Sequence, residues 1–279
     1  WDDAHLYIAA ELEEPHLWAT LLRRDSVIFY DNDFEVFIDP NGDSHEYYEF
    51  EMNAYNTGWD LFLPLPYKNG GSARDAFDFE GIRTAVQLYG TINDPRDTDT
   101  GWTVEIAIPF RAFSADAEPL PPVAKGTIWR VNFSRVQWRS DVVKNRYIKK
   151  DGISEDNWVW SPQGVIDMHR PEMWGYLHFI GAADPSEKTV IPRDPLFEAR
   201  SYLMALYYRQ RMYRDKKKSY AAGLAELNAP LPPPGLFTSP PVVRKSGDGY
   251  MIGNSMQDGA RRRPGSIVLV LFADCLGEL

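Results

Sequence analysis

Short segments in which apolar and polar positions alternate fill the first two-thirds of the chain. Phe34, Val36 and Ile38 share one parity, while Glu35, Phe37 and Asp39 share the other, the period-two signature of a strand with two distinct faces. Trp102, Val104, Ile106 and Ile108 stand against Thr103 and Glu105, and Trp129, Val131 and Phe133 against Arg130, Asn132 and Ser134. The strand segments are Leu6–Leu12, Phe34–Asp39, Tyr47–Tyr55, Trp59–Leu63, Ile82–Tyr89, Trp102–Pro109, Ile128–Trp138, Asn157–Trp160 and Met173–Phe179. One apolar and one polar face per strand is what two packed sheets require. The pattern therefore predicts an all-β fold, an antiparallel β-sandwich of immunoglobulin-like or jelly-roll-like form. Turn formers punctuate it at Asp39-Pro40-Asn41-Gly42-Asp43 and from Asn93-Asp94-Pro95 to Gly101.

The period changes after about Ala183. Arg193-Asp194-Pro195 supplies an N-cap with proline just inside a helix. Leu196, Ala199, Leu203, Leu206 and Tyr207 follow at helical spacing. Glu198 lies in the first turn, and Arg209, Arg211, Arg214 and Lys216 to Lys218 gather at the far end, as the helix dipole favours. A second helical piece is expected over Ala221–Leu227. Pro230, Pro232, Pro233 and Pro234 then extend the chain. The expected organisation is a sandwich domain over 1–183, a linker and C-terminal helical segment over 184–228, and a proline-rich linker with a poorly ordered, irregular tail over 229–279.

Composition adds three constraints. The net charge of −10 over 279 residues argues against nucleic acid or an anionic membrane as the main partner. The single cysteine, Cys275, leaves no intramolecular disulfide and no cysteine-based metal site. The longest apolar run, Ile267–Leu271 and on to Leu276, is too short to span a bilayer. Aromatic residues reach 14%, with nine tryptophans, which suits both a packed core and flat faces for sugar rings. The chain opens at Trp1 without methionine or a signal-like segment, and so reads as a fragment or processed form.

Six motifs occur in one order: Trp1-Asp2-Asp3-Ala4-His5-Leu6-Tyr7-Ile8-Ala9, Asp33 to Pro40, Tyr48-Glu49-Phe50-Glu51-Met52-Asn53, Gly101 to Pro109, Trp129-Arg130-Val131-Asn132-Phe133, and Trp160-Ser161-Pro162 through Trp174-Gly175. In this the chain resembles the family 9 carbohydrate-binding modules and their DOMON-like relatives, without the strands that normally precede the first motif. The resemblance implies a non-catalytic sandwich that grips the end of a sugar chain. It also implies a secreted, periplasmic or cell-surface setting beside polysaccharide-degrading hydrolases, and in some members structural calcium. By position, Glu35 matches the family's sugar-contacting glutamate, and Phe29 and Tyr30 fall near its first stacking tryptophan. Met168 falls near the second, and Glu51 stands where the family has a sugar-binding arginine.

The residues themselves also point to one face. Glu35, Glu51, Asn53, Arg130 and Asn132 share a parity on strands that the family pairs, and sugar hydroxyls want such donors and acceptors. Trp158, Trp160 and Trp59 are the flat rings expected nearby. The competing reading is a solvated sheet face with core tryptophans. Glu35, Glu51 and Glu105 invite a glycosidase alternative, which needs two acids at a set separation. A structural or interaction module without sugar binding is a third. Asp39, Asn41 and Asp43, at i, i+2 and i+4 in one turn, are candidate calcium ligands, although a hairpin turn needs the same residues. Met168-His169 offers the residue types of a haem pair, but neighbours on an extended strand point opposite ways and cannot both reach one iron.

Overall fold

A computed structural model describes residues 1–114, 120–181, 194, 196–246, 249–253 and 271–273. The chain divides into two compact units, Trp1–Thr189 and Val190–Leu279. The expected sandwich end near Ala183, along with Arg193, Pro195 and Cys275, lies outside the described residues.

The first unit holds β1 (His5–Glu13), β2 (Asp33–Asp39), β3 (Tyr47–Asn53), β4 (Gly58–Leu63), β5 (Arg83–Tyr89), β6 (Gly101–Pro109), β7 (Ile128–Gln137), β8 (Ser140–Val143), β9 (Arg146–Lys149), β10 (Asp156–Val159) and β11 (Gly175–His178). One sheet runs β1-β6-β5, and the larger runs β10-β7-β2-β3-β4 with β11 also pairing β7. Every pairing in them is antiparallel. The alternation places Leu6, Leu12, Trp102, Val104, Ile106 and Ile108 of the small sheet in one buried cluster with Phe34, Val36, Ile38, Phe50, Trp129 and Val131 of the large one. Phe113, Trp129 and Phe179 meet edge to face at its end, with ring centroids 4.9 Å apart in each of two pairs.

Each expected strand segment contains a strand. The β8–β9 hairpin was not foreseen. Its turn residues Lys144 and Asn145 both have positive φ, 51° and 62°, the backbone of a tight two-residue hairpin turn. Four-residue strands with one apolar pair carry too little alternation to announce themselves.

The second unit is built around a helix, α1 (Phe197–Lys217), that buries Ala199, Leu203, Leu206, Tyr207 and Gln210. Asp194 accepts from the Leu196 amide at 2.8 Å and pairs with Arg200 at 3.0 Å, so it fastens the helix start from just outside it. The expected second helix is a single 3-10 turn, Leu224–Leu227. The Gln210 side chain explains the break: it donates to and accepts from the Ala221 backbone at 2.9 Å, holding the returning chain extended against α1. Residues 229–279, expected as linker and irregular tail, contain β12 (Val242–Ser246), β13 (Gly249–Gly253) and β14 (Leu271–Ala273) in an antiparallel sheet. Val243, Tyr250 and Ile252 close over Leu203, Leu206 and Tyr207. A short hairpin gains its order from that apolar contact, which no local pattern reveals. Among the described residues no helix is long and apolar enough to cross a membrane.

Candidate functional site

The register of the large sheet brings the acidic residues together. Glu35 on β2 faces Glu51 across the β3 pairing, and Phe37 faces Glu49. On the other side of β2, Ser134 of β7 faces Glu35 and Asn132 faces Phe37. Because Phe34, Val36 and Ile38 turn inward to the core, Glu35 and Phe37 must turn outward, and Glu49 and Glu51 with them. Much of that outer face is covered. The segment following β10 folds back across it, fixed by Asn132, which donates to Ser161 O at 3.0 Å and accepts from Ser161 N at 2.8 Å. Further along, the Trp174 indole donates to Met168 O at 2.9 Å. A cavity of about 410 Å³ remains, lined by Phe29, Glu35, Phe37, Glu49 and Glu51 from the sheet side and by Gln163, Asp167, Met168 and His169 from the covering segment.

The floor of this cavity is strongly acidic and buried, and Asp33 beside it adds a further carboxyl without lining it. Asp33, Glu35, Glu49 and Glu51 are 0–4% exposed. Burial pushes the Glu35 carboxyl up to about 7, against the opposing effect of the neighbouring Ser134 hydroxyl. Burial also raises Glu49 and Glu51 well above the usual carboxylate range, and repulsion among the acids adds to it. Asp33 is raised in the same way, first by burial and then by Glu35. Glu51 accepts from the Phe29 amide at 2.9 Å.

His169 closes the other side. Burial pulls its imidazole down to about 4, so it is neutral at pH 7. The Tyr47 hydroxyl lies 2.9 Å from its Nδ1. Burial keeps Tyr47 protonated by raising it strongly, and the imidazole Nε2 on the other side of the ring lies 4.0 Å from Glu49. Met168 and His169 both line the cavity. Their backbone is not a strand, so the alternation argument used to separate them from sequence does not hold there.

The structure divides the sequence-predicted residues into two groups. Phe29, Glu35 and Glu51 line the cavity. Tyr30 is half exposed beside Phe29, with ring centroids 4.6 Å apart, and is not among the lining residues. Asn53, Arg130 and Asn132 are buried framework. Asn53 donates to Leu21 O and Asp31 and accepts from the Tyr55 and Thr57 amides. Arg130 donates to Glu172 O at 2.8 Å and Trp174 O at 2.6 Å and lies over the Tyr176 ring. The polar parity was read correctly, but these long side chains are spent on holding loops.

Trp158 and Trp160 are not part of the cavity, contrary to expectation. Asn157 and Val159 line it, so strand alternation sends Trp158 to the opposite side, where Arg135 stacks at 5.1 Å. Trp160 lies beside Phe133 and so close to Gly175 that a Cβ there would meet the indole at 2.3 Å. Both indoles remain more than half exposed. Trp160→Ala is therefore expected to leave cavity binding unchanged, and to cost clearly less than the ~3–5 kcal/mol of a buried tryptophan. A urea titration showing the full core penalty would contradict this placement. Trp59 shares the cavity's side of the sheet, opposite Glu51, but packs beside Phe37, Leu61 and Trp174. Glu105 is exposed on β6 in the other sheet, so it forms no pair with Glu35 or Glu51.

In the Asp39 turn, Asp39 accepts from the Gly42 amide at 2.7 Å and from the Ser44 amide at 2.9 Å, one per carboxylate oxygen. Asn41 and Asp43 bond each other, and Asp43 also accepts from the His45 amide. These contacts are those of a self-capped turn, and calcium there would have to displace them. Sequence reading missed Glu49 and His169. Glu49 was visible as the residue two before Glu51, with the same parity, whereas His169 reaches the cavity only through the fold of its loop.

The family described as "Carbohydrate family 9 binding domain-like" matches residues 1–177. Two curated proteins are each 30% identical over 115 residues, 41% of this chain. They are the exoglucanase XynX of Acetivibrio thermocellus and endo-1,4-beta-xylanase A of Thermoanaerobacterium saccharolyticum. The matched segment spans 9% and 8% of their lengths. Similar solved structures include a putative carbohydrate-binding protein from Bacteroides uniformis, at TM-score 0.48 and 19% identity, covering 63% of this chain and 74% of that one. A family 9 module from Caldicellulosiruptor kristjanssonii in complex with cellotriose follows at TM-score 0.40 and 19% identity, covering 69% and 77%. With well over half of its length matched by the family and the motifs in strands of an antiparallel sandwich, the chain belongs to the carbohydrate family 9 binding domain-like proteins.

Proposed function

We propose that the first unit binds carbohydrate without transforming it, and that the ligand sits in the cavity between β2, β3 and the covering segment. The observation that carries this reading is the cavity itself. It combines acceptors on its floor, at Glu35, Glu49 and Glu51, with apolar rings at Phe29 and Phe37. Sugars need both, hydroxyl partners and a flat apolar surface. The position of Glu35 agrees with the family's sugar-contacting glutamate. The exoglucanase and xylanase names of the relatives point to plant-polysaccharide oligomers, and to a secreted setting beside such enzymes.

Glycoside hydrolysis requires two carboxyl groups that flank the scissile bond. Glu35 and Glu51 are cross-strand neighbours on one floor and approach a ligand from the same side, which favours holding over cleaving. Turnover of a chromogenic glycoside would overturn the non-catalytic part.

Calorimetry with glucose and with cello- and xylo-oligosaccharides tests the binding part. Affinity is expected in the range of about 10–1,000 μM, because a site this small recovers only part of the desolvation cost. Glu35→Ala should weaken binding roughly tenfold or more, consistent with about 1.5–3 kcal/mol for a charge-assisted bond, and Phe29→Ala should weaken it by removing a half-buried ring. Unchanged affinity in both folded variants would show that the cavity is not the sugar site.

A further inference from the structure

Asp33, Glu35 and Glu51 each direct a carboxylate oxygen to one place, with these atoms all within 4.8 Å of one another. Among the described residues no lysine or arginine pairs with any of the three. Their oxygens are also not used up by the fold. Asp33 Oδ2 and Glu35 Oε2 are buried without a hydrogen-bond partner. Two further groups outside the trio point the same way. Ser134 Oγ, on a residue 2% exposed and directly opposite Glu35, neighbours that carboxyl without a well-aligned hydrogen bond, and Glu49 Oε2, on a residue 3% exposed and repelled by Glu35, has no partner. The neighbouring Asp31 shows what a structural carboxylate looks like here: it takes the Thr20 and Leu21 amides, the Thr20 hydroxyl and the Asn53 amide. Uncompensated buried charge is costly, so the trio must hold either protons or a cation.

We propose that Asp33, Glu35 and Glu51 bind one hard divalent cation of calcium's size at the floor of the cavity, with the Ser134 hydroxyl as a neighbouring oxygen donor. The donors are all oxygen, which selects hard cations over zinc or copper. Calcium bonds oxygen at about 2.3–2.6 Å, so its ligand atoms lie up to about 5 Å apart, and it tolerates irregular geometry that magnesium does not. Sequence similarity to the family does not supply this site, since Glu51 stands where the family has an arginine. It is also distinct from the Asp39–Asp43 turn. The proposal shares Glu35 and Glu51 with the sugar reading but is tested apart from it, because cation binding is measured without any sugar.

The test is calcium titration by calorimetry on the full chain after exhaustive chelation, with thermal melts in parallel. Chelated protein should bind one equivalent at this site and melt higher when calcium is restored. Glu51→Gln keeps the side chain's size while removing a ligand charge, and should weaken calcium at least tenfold. It should also leave the chelated protein no less stable than wild type, because it relieves repulsion. Asp43→Asn, in the turn, should bind like wild type. Absence of calcium binding, or calcium binding untouched by Glu51→Gln but lost in Asp43→Asn, would overturn the proposal. Protons would then satisfy the trio.

Discussion

By pH 4 the wild-type protein is expected to have lost about 3 kcal/mol of stability relative to a His169→Gln variant, when both are referenced to pH 7. The His169 imidazole is held down to about 4 in the fold, from 6.5 when unfolded, and each pH unit of such a difference corresponds to about 1.4 kcal/mol. A depressed folded value means that the unfolded chain takes up the proton first. The stabilisation is therefore fully present above pH 6.5 and is lost as the pH falls toward 4. Burial is the main cause. The ring is enclosed by Tyr67, Phe37 and Tyr47, with Tyr67 edge-on at 4.4 Å. The charged groups nearby act in both directions. Asp167 raises the imidazole value and Lys68 lowers it, while Glu49, itself pushed toward the protonated form, lies at 4.0 Å without an ionic contact of normal length. Urea unfolding of both proteins at several pH values measures the difference directly, so the opposite trend from the buried carboxyls cancels. Parallel pH profiles for the two proteins would show that His169 is free to ionise in the fold.

Trp174→Ala is expected to cost about 3–5 kcal/mol of stability and to abolish cavity binding at temperatures where the variant remains folded. Trp174 is 1% exposed. It packs edge to face on Tyr47 at 5.1 Å and lies 5.5 Å from Phe37, so its removal opens a hole that the sheet cannot close. Its indole N–H also holds Met168 O, and Met168 and His169 are adjacent walls of the cavity. Trp174→Phe separates the two roles. It keeps a ring in the core while losing the bond to Met168, so stability should fall by only about 1–2 kcal/mol while binding weakens several-fold. Equal affinity in wild type and Trp174→Phe would mean that this bond does not position the wall.

The sandwich was legible in the sequence because each strand in it states its own two faces. Phe34, Val36 and Ile38 have no way to be buried except against a second sheet, and Trp102, Val104, Ile106 and Ile108 supply one. The same alternation told that Glu35, Glu51, Asn132 and Arg130 share a face. It did not tell what each would do there. Asn132 and Arg130 are drawn to backbone carbonyls of segments some 30–45 residues further along, at Ser161 and at Glu172 and Trp174, and no local pattern announces such partners.

The helix α1 was likewise announced by spacing and end charges, whereas the sheet packed beside it exists through contacts between Val243, Tyr250 and the helix. The sequence by itself determined the two periodicities, the antiparallel sandwich and the presence of acids on one sheet face. Tertiary structure decided that this face is roofed by the segment bearing Met168 and His169. It therefore decided that the acids are buried rather than exposed, and that Trp158 and Trp160 point away from them. The reason is physical: strand alternation is a short-range property of the backbone. Desolvation, by contrast, depends on which distant segment comes to lie above.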